Sequence, residues 1–86
     1  MHQETIDIKV TFFSYFKDLT GCPSAVIEVN VASTLEQAIE SIHQRFPDLK
    51  PMKRSTLTAV GLEYVAPDYI LQLGDEISLF PPVQGG

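Results

Sequence analysis

Ile6, Ile8, Val10 and Phe12 alternate with Asp7, Lys9 and Thr11, the two-residue period of a strand with one buried face. Phe13 has the opposite parity and is expected on the other face of that strand. Ser14 is placed to cap a short helix running to Leu19, with Phe16 and Leu19 packing inward and Gly21 stopping it. After a loop of Cys22, Pro23 and Ser24, residues 25–31 resume the strand period, with Ile27, Val29 and Val31 opposite Glu28 and Asn30. The strongest helix signal follows. Leu35, Ala38, Ile39, Ile42 and Phe46 form one apolar stripe, Ser33 and Glu36 have the spacing of a capping box, and Pro47 ends the segment. Residues 48–55 are polar or turn-like, with Leu49 and Met52 expected to cover the core edge.

Three short strands are expected in the remainder, over 57–60, 63–65 and 76–80, separated by turns at Gly61, Ala66-Pro67-Asp68 and Leu73-Gly74-Asp75. The last strand puts Ile77 and Leu79 inward and Phe80 outward. One long helix covers only one face of such a sheet, so the fold class is α+β and not doubly wound. The simplest arrangement is a β-grasp, or ubiquitin-like, fold. A mixed sheet of about five strands packs on one main helix, with a short extra helix after the first strand. Residues 1–80 form the domain and residues 81–86 an extended tail.

Composition narrows the partners. A length of 86 residues fits one small domain, and 44% hydrophobic residues support a folded core. Net charge −5 and a pI near 4.7 argue against nucleic acid and against an anionic membrane surface. Cys22, the single cysteine, permits no internal disulfide and cannot supply the four ligands of an iron–sulfur cluster. Met1-His2-Gln3-Glu4 lacks a signal-peptide pattern and no apolar run approaches membrane-spanning length, so a cytoplasmic location is expected.

Self-contained chemistry is not visible. His43 lies mid-helix among polar neighbours and reads as a solvated or boundary residue; pairing it with Cys22 as base and nucleophile would need an orienting partner that the sequence does not offer. Asp75-Glu76 and Glu36/Glu40 read as solvated acids, and no glycine pattern matches a phosphate-binding loop. No metal site and no bound cofactor are expected.

The remaining candidate is the tail, Pro81-Pro82-Val83-Gln84-Gly85-Gly86. Two prolines fix φ, so the segment leaves the domain as a stiff arm; at ~3.1 Å per residue it would reach roughly 18 Å. Gly85 and Gly86 remove every side chain beside the last carboxylate. Such an end can enter a narrow channel on another protein and deliver the carboxylate of Gly86 as a reagent. Phe13 and Phe80, with Tyr64 possible as a third ring, have the parity of an aromatic docking patch beside it.

The residues that carry the tail also carry a resemblance. Ile8-Lys9-Val10-Thr11-Phe12-Phe13, Phe16-Lys17-Asp18-Leu19-Thr20-Gly21, Thr34-Leu35-Glu36-Gln37-Ala38-Ile39, Ala59-Val60-Gly61-Leu62-Glu63-Tyr64-Val65, Leu73-Gly74-Asp75-Glu76-Ile77 and Phe80 to Gly86 together resemble the MoaD-type small subunit of molybdopterin synthase, among the ubiquitin-like sulfur carriers of the MoaD/ThiS family. The resemblance implies that Gly86 is adenylated with ATP by a ubiquitin-activating-like adenylyltransferase. A sulfurtransferase then supplies sulfur to form a thiocarboxylate. It also implies that Pro81 to Gly85 insert into a large catalytic subunit, which holds the active site, and that sulfur passes there to a cyclic pyranopterin precursor. The family assembly is a heterotetramer. Three departures stand out: Gly61 occupies a position where the pattern has asparagine, and Lys17 and Asp18 replace arginine and glutamate. Lysine keeps the charge but not the bidentate geometry. Other readings stay open: a carrier for thiamine or cysteine synthesis, a protein modifier joined through Gly86 to lysines, or a plain binding module.

Overall fold

A computed structural model describes residues 4–82. Strand β1 (Thr5–Phe12) pairs antiparallel with β2 (Ser24–Asn30) and parallel with β4 (Glu76–Phe80), and β4 pairs antiparallel with β3 (Leu57–Val60). The sheet order is β2-β1-β4-β3, so the first and last strands lie side by side at its centre. Helices α1 (Phe16–Thr20) and α2 (Leu35–Arg45) and a 3₁₀ helix (Pro47–Ser55) complete the chain. This is the β-grasp arrangement.

Alternation along the strands builds the core as expected. Ile8, Val10 and Phe12 of β1, Ile27 and Val29 of β2, and Ile77 and Leu79 of β4 are buried against Leu35, Ala38 and Ile42 of α2. Phe12 meets the Phe46 ring edge-on at 5.1 Å, closing the core where α2 ends. Arg45 Nη1 donates to the Val26 carbonyl at 2.7 Å and ties the same end of α2 to β2. Leu49 and Met52 do cover the core edge, but their segment forms the nine-residue 3₁₀ helix, with Pro47 and Pro51 unable to donate hydrogen bonds.

Several expectations need correction. Residues 63–65 form no strand: Val60 and Glu63 exchange backbone hydrogen bonds at 2.8 and 3.1 Å, which folds the chain into a tight turn. The sheet therefore has four strands rather than about five. Ser14 does not cap α1. It takes a positive φ of 55°, turning the chain off β1, and Tyr15 occupies the cap position without a side-chain bond. Gly21 does stop α1, in the left-handed conformation, with its N–H bonded to the Lys17 carbonyl at 2.9 Å. Val31 lies beyond the end of β2 and is exposed.

The capping box of α2 sits one residue later than expected. Thr34 Oγ1 accepts from the Gln37 N–H at 3.2 Å, and Gln37 Oε1 accepts from the Thr34 N–H at 2.9 Å. The long β3–β4 loop crosses this end of the helix. Its Tyr69 and Pro67 carbonyls accept the Leu35 and Glu36 N–H groups at 2.8 and 3.0 Å. Three of the donors that a helix start leaves open are thereby satisfied. Thr34→Ala is expected to cost about 1 kcal/mol in chemical denaturation; a loss of only a few tenths would show that the loop carbonyls suffice.

His43 is buried, at 6% exposure, and not a solvated residue. Neighbouring the apolar stripe is enough to turn it inward once the 3₁₀ helix packs over this side of α2. Burial holds its pKa below the ordinary value, and the nearby Lys53 and Lys50 charges lower it further. A lowered native pKa means that the unfolded chain binds the proton more readily, so stability is lost as pH falls through about 6.5. Denaturation midpoints between pH 7 and 5.5 should decline for the native chain and flatten in His43→Gln; equal slopes would assign the decline to other groups.

Candidate functional site

The site begins where β4 ends. Ile77 and Leu79 anchor that strand in the core, and the alternation turns Ser78 and Phe80 to the opposite, helix-free face. The Phe13 N–H continues the β1–β4 ladder by donating to the Leu79 carbonyl at 3.1 Å. Phe13 thereby lies beside Phe80, and their rings stack at 4.5 Å with 15° between planes. The positive φ of Ser14 then takes the backbone away, leaving Phe13 38% exposed. Leu57 is the register partner of Phe80 and is 43% exposed. Three apolar side chains therefore share one end of the open sheet face. Pro81 and Pro82, both half-buried, follow directly from Phe80. Val83, Gln84, Gly85 and Gly86, the expected inserting and reacting residues, lie outside the described residues.

Leu57 was not legible as a member of this cluster, because only the β3–β4 register puts it opposite Phe80. Tyr64 is not brought into the stack. It is 71% exposed and borders a groove between α2 and β3, together with Leu35, Ile39 and Val65. The far end of the open face is polar, with Lys9 Nζ and Glu76 Oε1 at 3.8 Å. Both side chains are more than half exposed, so this pair adds little to stability.

The other sequence candidates do not converge. Cys22 is half-buried near Thr20, and His43 lies under the 3₁₀ helix on α2. Asp75 is structural: its Oδ2 accepts from Tyr69 Oη at 2.9 Å and from the Gln72 N–H at 2.8 Å, closing the turn before β4. The hydrogen bond to Asp75 raises the Tyr69 pKa most strongly, with burial and the Asp75 and Glu63 charges adding to it. Gly61 has φ 60° and open space where a Cβ would stand, so asparagine would fit there too and the departure leaves the turn intact. Chemically, then, the described residues offer an apolar platform beside a proline-stiffened exit.

The human molybdopterin synthase sulfur carrier subunit is 33% identical over 82 residues, covering 92% of this chain and 93% of its own. A solved complex of subunits 1 and 2 of the molybdopterin-converting factor from Helicobacter pylori contains a chain 27% identical, with a TM-score of 0.68, covering 94% of this chain and 100% of that one. Small archaeal modifier protein 1 of Haloferax volcanii superposes with a TM-score of 0.80 over 91% of this chain and 99% of its own; at 20% identity this speaks to the fold alone. The model of the ThiS family matches residues 10–86, nearly the whole chain with the tail included, and the chain belongs to that family.

Proposed function

We propose that this chain is the sulfur-carrier subunit of molybdopterin synthase. The observation that carries the proposal is the joining, at one end of the sheet, of the Phe13–Phe80 stack, Leu57 and the Pro81-Pro82 exit. That geometry suits a carrier held by its body while its end works inside a partner. Likeness over 92% of the chain to a human sulfur carrier subunit supports the same reading.

In this proposal the Gly86 carboxylate attacks the α-phosphorus of ATP on a ubiquitin-activating-like adenylyltransferase, and pyrophosphate leaves. The persulfide of a sulfurtransferase displaces AMP to form an acyl disulfide, and a thiol cleaves its S–S bond reductively to leave a terminal thiocarboxylate. The tail then enters the large catalytic subunit and gives its sulfur to a cyclic pyranopterin precursor, two such transfers making the dithiolene of molybdopterin. Pro81 to Gln84 span the channel, and Gly85 and Gly86 fit its narrow end. Phe13, Phe80 and Leu57 dock on the large subunit in a heterotetramer. The chain performs no catalysis alone, because general acids and bases belong to the partners. Among the described residues no helix is long and apolar enough to cross a membrane. ATP-dependent activation and the free thiol of Cys22 fit a cytoplasmic setting.

Intact mass after incubation with ATP, the activating enzyme and a sulfur source tests the assignment. The expected gain is one oxygen replaced by sulfur, localised to Gly86, followed by transfer to the pterin precursor when the large subunit is added. No gain with a competent activating enzyme, or conjugation to lysines in its place, would overturn it.

A further inference from the structure

A second surface lies on the opposite side of the sheet from the phenylalanine stack. β3 is an edge strand, and a groove of about 470 Å³ runs between it and α2. Leu35, Ile39, Val65 and Leu79 give the groove apolar walls, with Tyr64 on its rim.

The outer edge of the strand beside the groove is closed at Val60 by its bridge to Glu63 and open at Thr58. The Gly61 N–H bonds to the Glu76 carbonyl, so in the β3–β4 register Leu57, Ala59 and Gly61 aim their backbone groups at β4. Thr58 and Val60 therefore aim theirs outward. The Val60 N–H is taken by Glu63, whereas among the described residues no hydrogen bond reaches the outward N–H or C=O of Thr58. An apolar groove alongside an open strand edge accepts an extended peptide, through backbone bonds to the edge and alternate side chains in the groove.

Charge selects the kind of peptide. The chain carries net charge −5, yet Arg45, Lys50, Lys53 and Arg54, four of its six basic residues, fall within ten positions. Lys53 lines the groove beside the start of β3, Lys50 lines the adjoining cleft, and neither has a salt-bridge partner among the described residues. Glu36 also lines the groove and Glu40 the adjoining cleft, so the cleft carries two lysines against one acid.

We propose that the β3–α2 groove binds an extended partner segment with alternating apolar residues and an acidic end, added as a strand on β3 with its acids at Lys53. This surface meets the phenylalanine platform only at Leu57, which borders both, and the proposal does not depend on the sulfur-carrier assignment.

The probe is a synthetic peptide of alternating valine and threonine ending in two aspartates, and a control peptide ends in two lysines. Titration into the full isotope-labelled chain, followed by amide chemical shifts, reads site and affinity together. Shifts should centre on Thr58, Ile39, Tyr64 and Lys53, with the aspartate peptide binding at least about 5-fold more tightly than the control, a preference lost in Lys53→Glu. Thr58→Pro removes the outward N–H without breaking the ladder to β4, and should abolish binding while leaving the melting profile near native. Equal binding of both peptides, shifts centred on Phe13 and Phe80, or no shifts at all would overturn the proposal. So would concentration-dependent shifts without peptide, which assign the edge to a second copy. Loss of groove signals on removing Val83 to Gly86 would assign it to the chain's own tail.

Discussion

Deleting Gly86 is expected to abolish sulfur transfer while leaving the fold intact. The truncated chain still ends in a carboxylate, but that group moves back by one residue, about 3.1 Å in an extended chain. Reactions between held groups require near-attack geometry, and a displacement of about 1 Å can already cost about 100-fold. A shift about three times larger should therefore reduce adenylation and sulfur transfer by more than 100-fold. The core contacts of β4 end at Leu79, so the melting temperature should be unchanged. Single-turnover transfer with the purified partners, beside a thermal melt, separates the two effects. Transfer at the native rate would mean that the terminal carboxylate is not the reacting group, and would sink the carrier mechanism as a whole.

Phe80→Ala is expected to weaken binding to the large subunit by about 30-fold, or about 2 kcal/mol, the scale of a well-packed aromatic anchor. Its cost to the isolated domain should be smaller. Phe80 is half-buried and faces away from the core, and its stack on Phe13 contributes about 0.5–1.5 kcal/mol. Removing a ring from the true core is a different matter, since Phe→Ala there costs about 3–5 kcal/mol. Titration calorimetry with the large subunit and chemical denaturation of the free chain distinguish the two. A collapse in stability with unchanged affinity in the folded fraction would make Phe80 a core residue and remove the platform.

The two predictions probe features legible from the chain to different degrees. Parity alone sends Phe13 and Phe80 to the outer face, because residues of opposite index in a strand point to opposite sides. Their contact at 4.5 Å also needs β1 and β4 to be neighbours, and no local pattern encodes that pairing of the first and last strands. Tyr64 lies where neither parity nor residue type decides the outcome. Its aromatic character invites grouping with the other rings, but the Val60–Glu63 turn carries it to the groove beside α2. His43 shows the converse. Its polar sequence neighbours suggest solvent, and it is buried because a 3₁₀ helix closes over it.

The sequence by itself determined the strands over 57–60 and 76–80 and the order of the elements before them through α2, the apolar stripe of α2, the inward residues Ile8, Val10, Phe12, Ile27, Val29, Ile77 and Leu79, and the stop at Gly21. Each follows from periodicity, or from what a residue's own backbone and side chain permit. The tertiary structure alone decided the four-strand count, the cap at Thr34, the burial of His43, the place of Leu57 in the platform and the open edge at Thr58. These depend on register and on packing between segments far apart in the chain. A shift of one residue in strand pairing would send each of those side chains and backbone groups to the other face or edge.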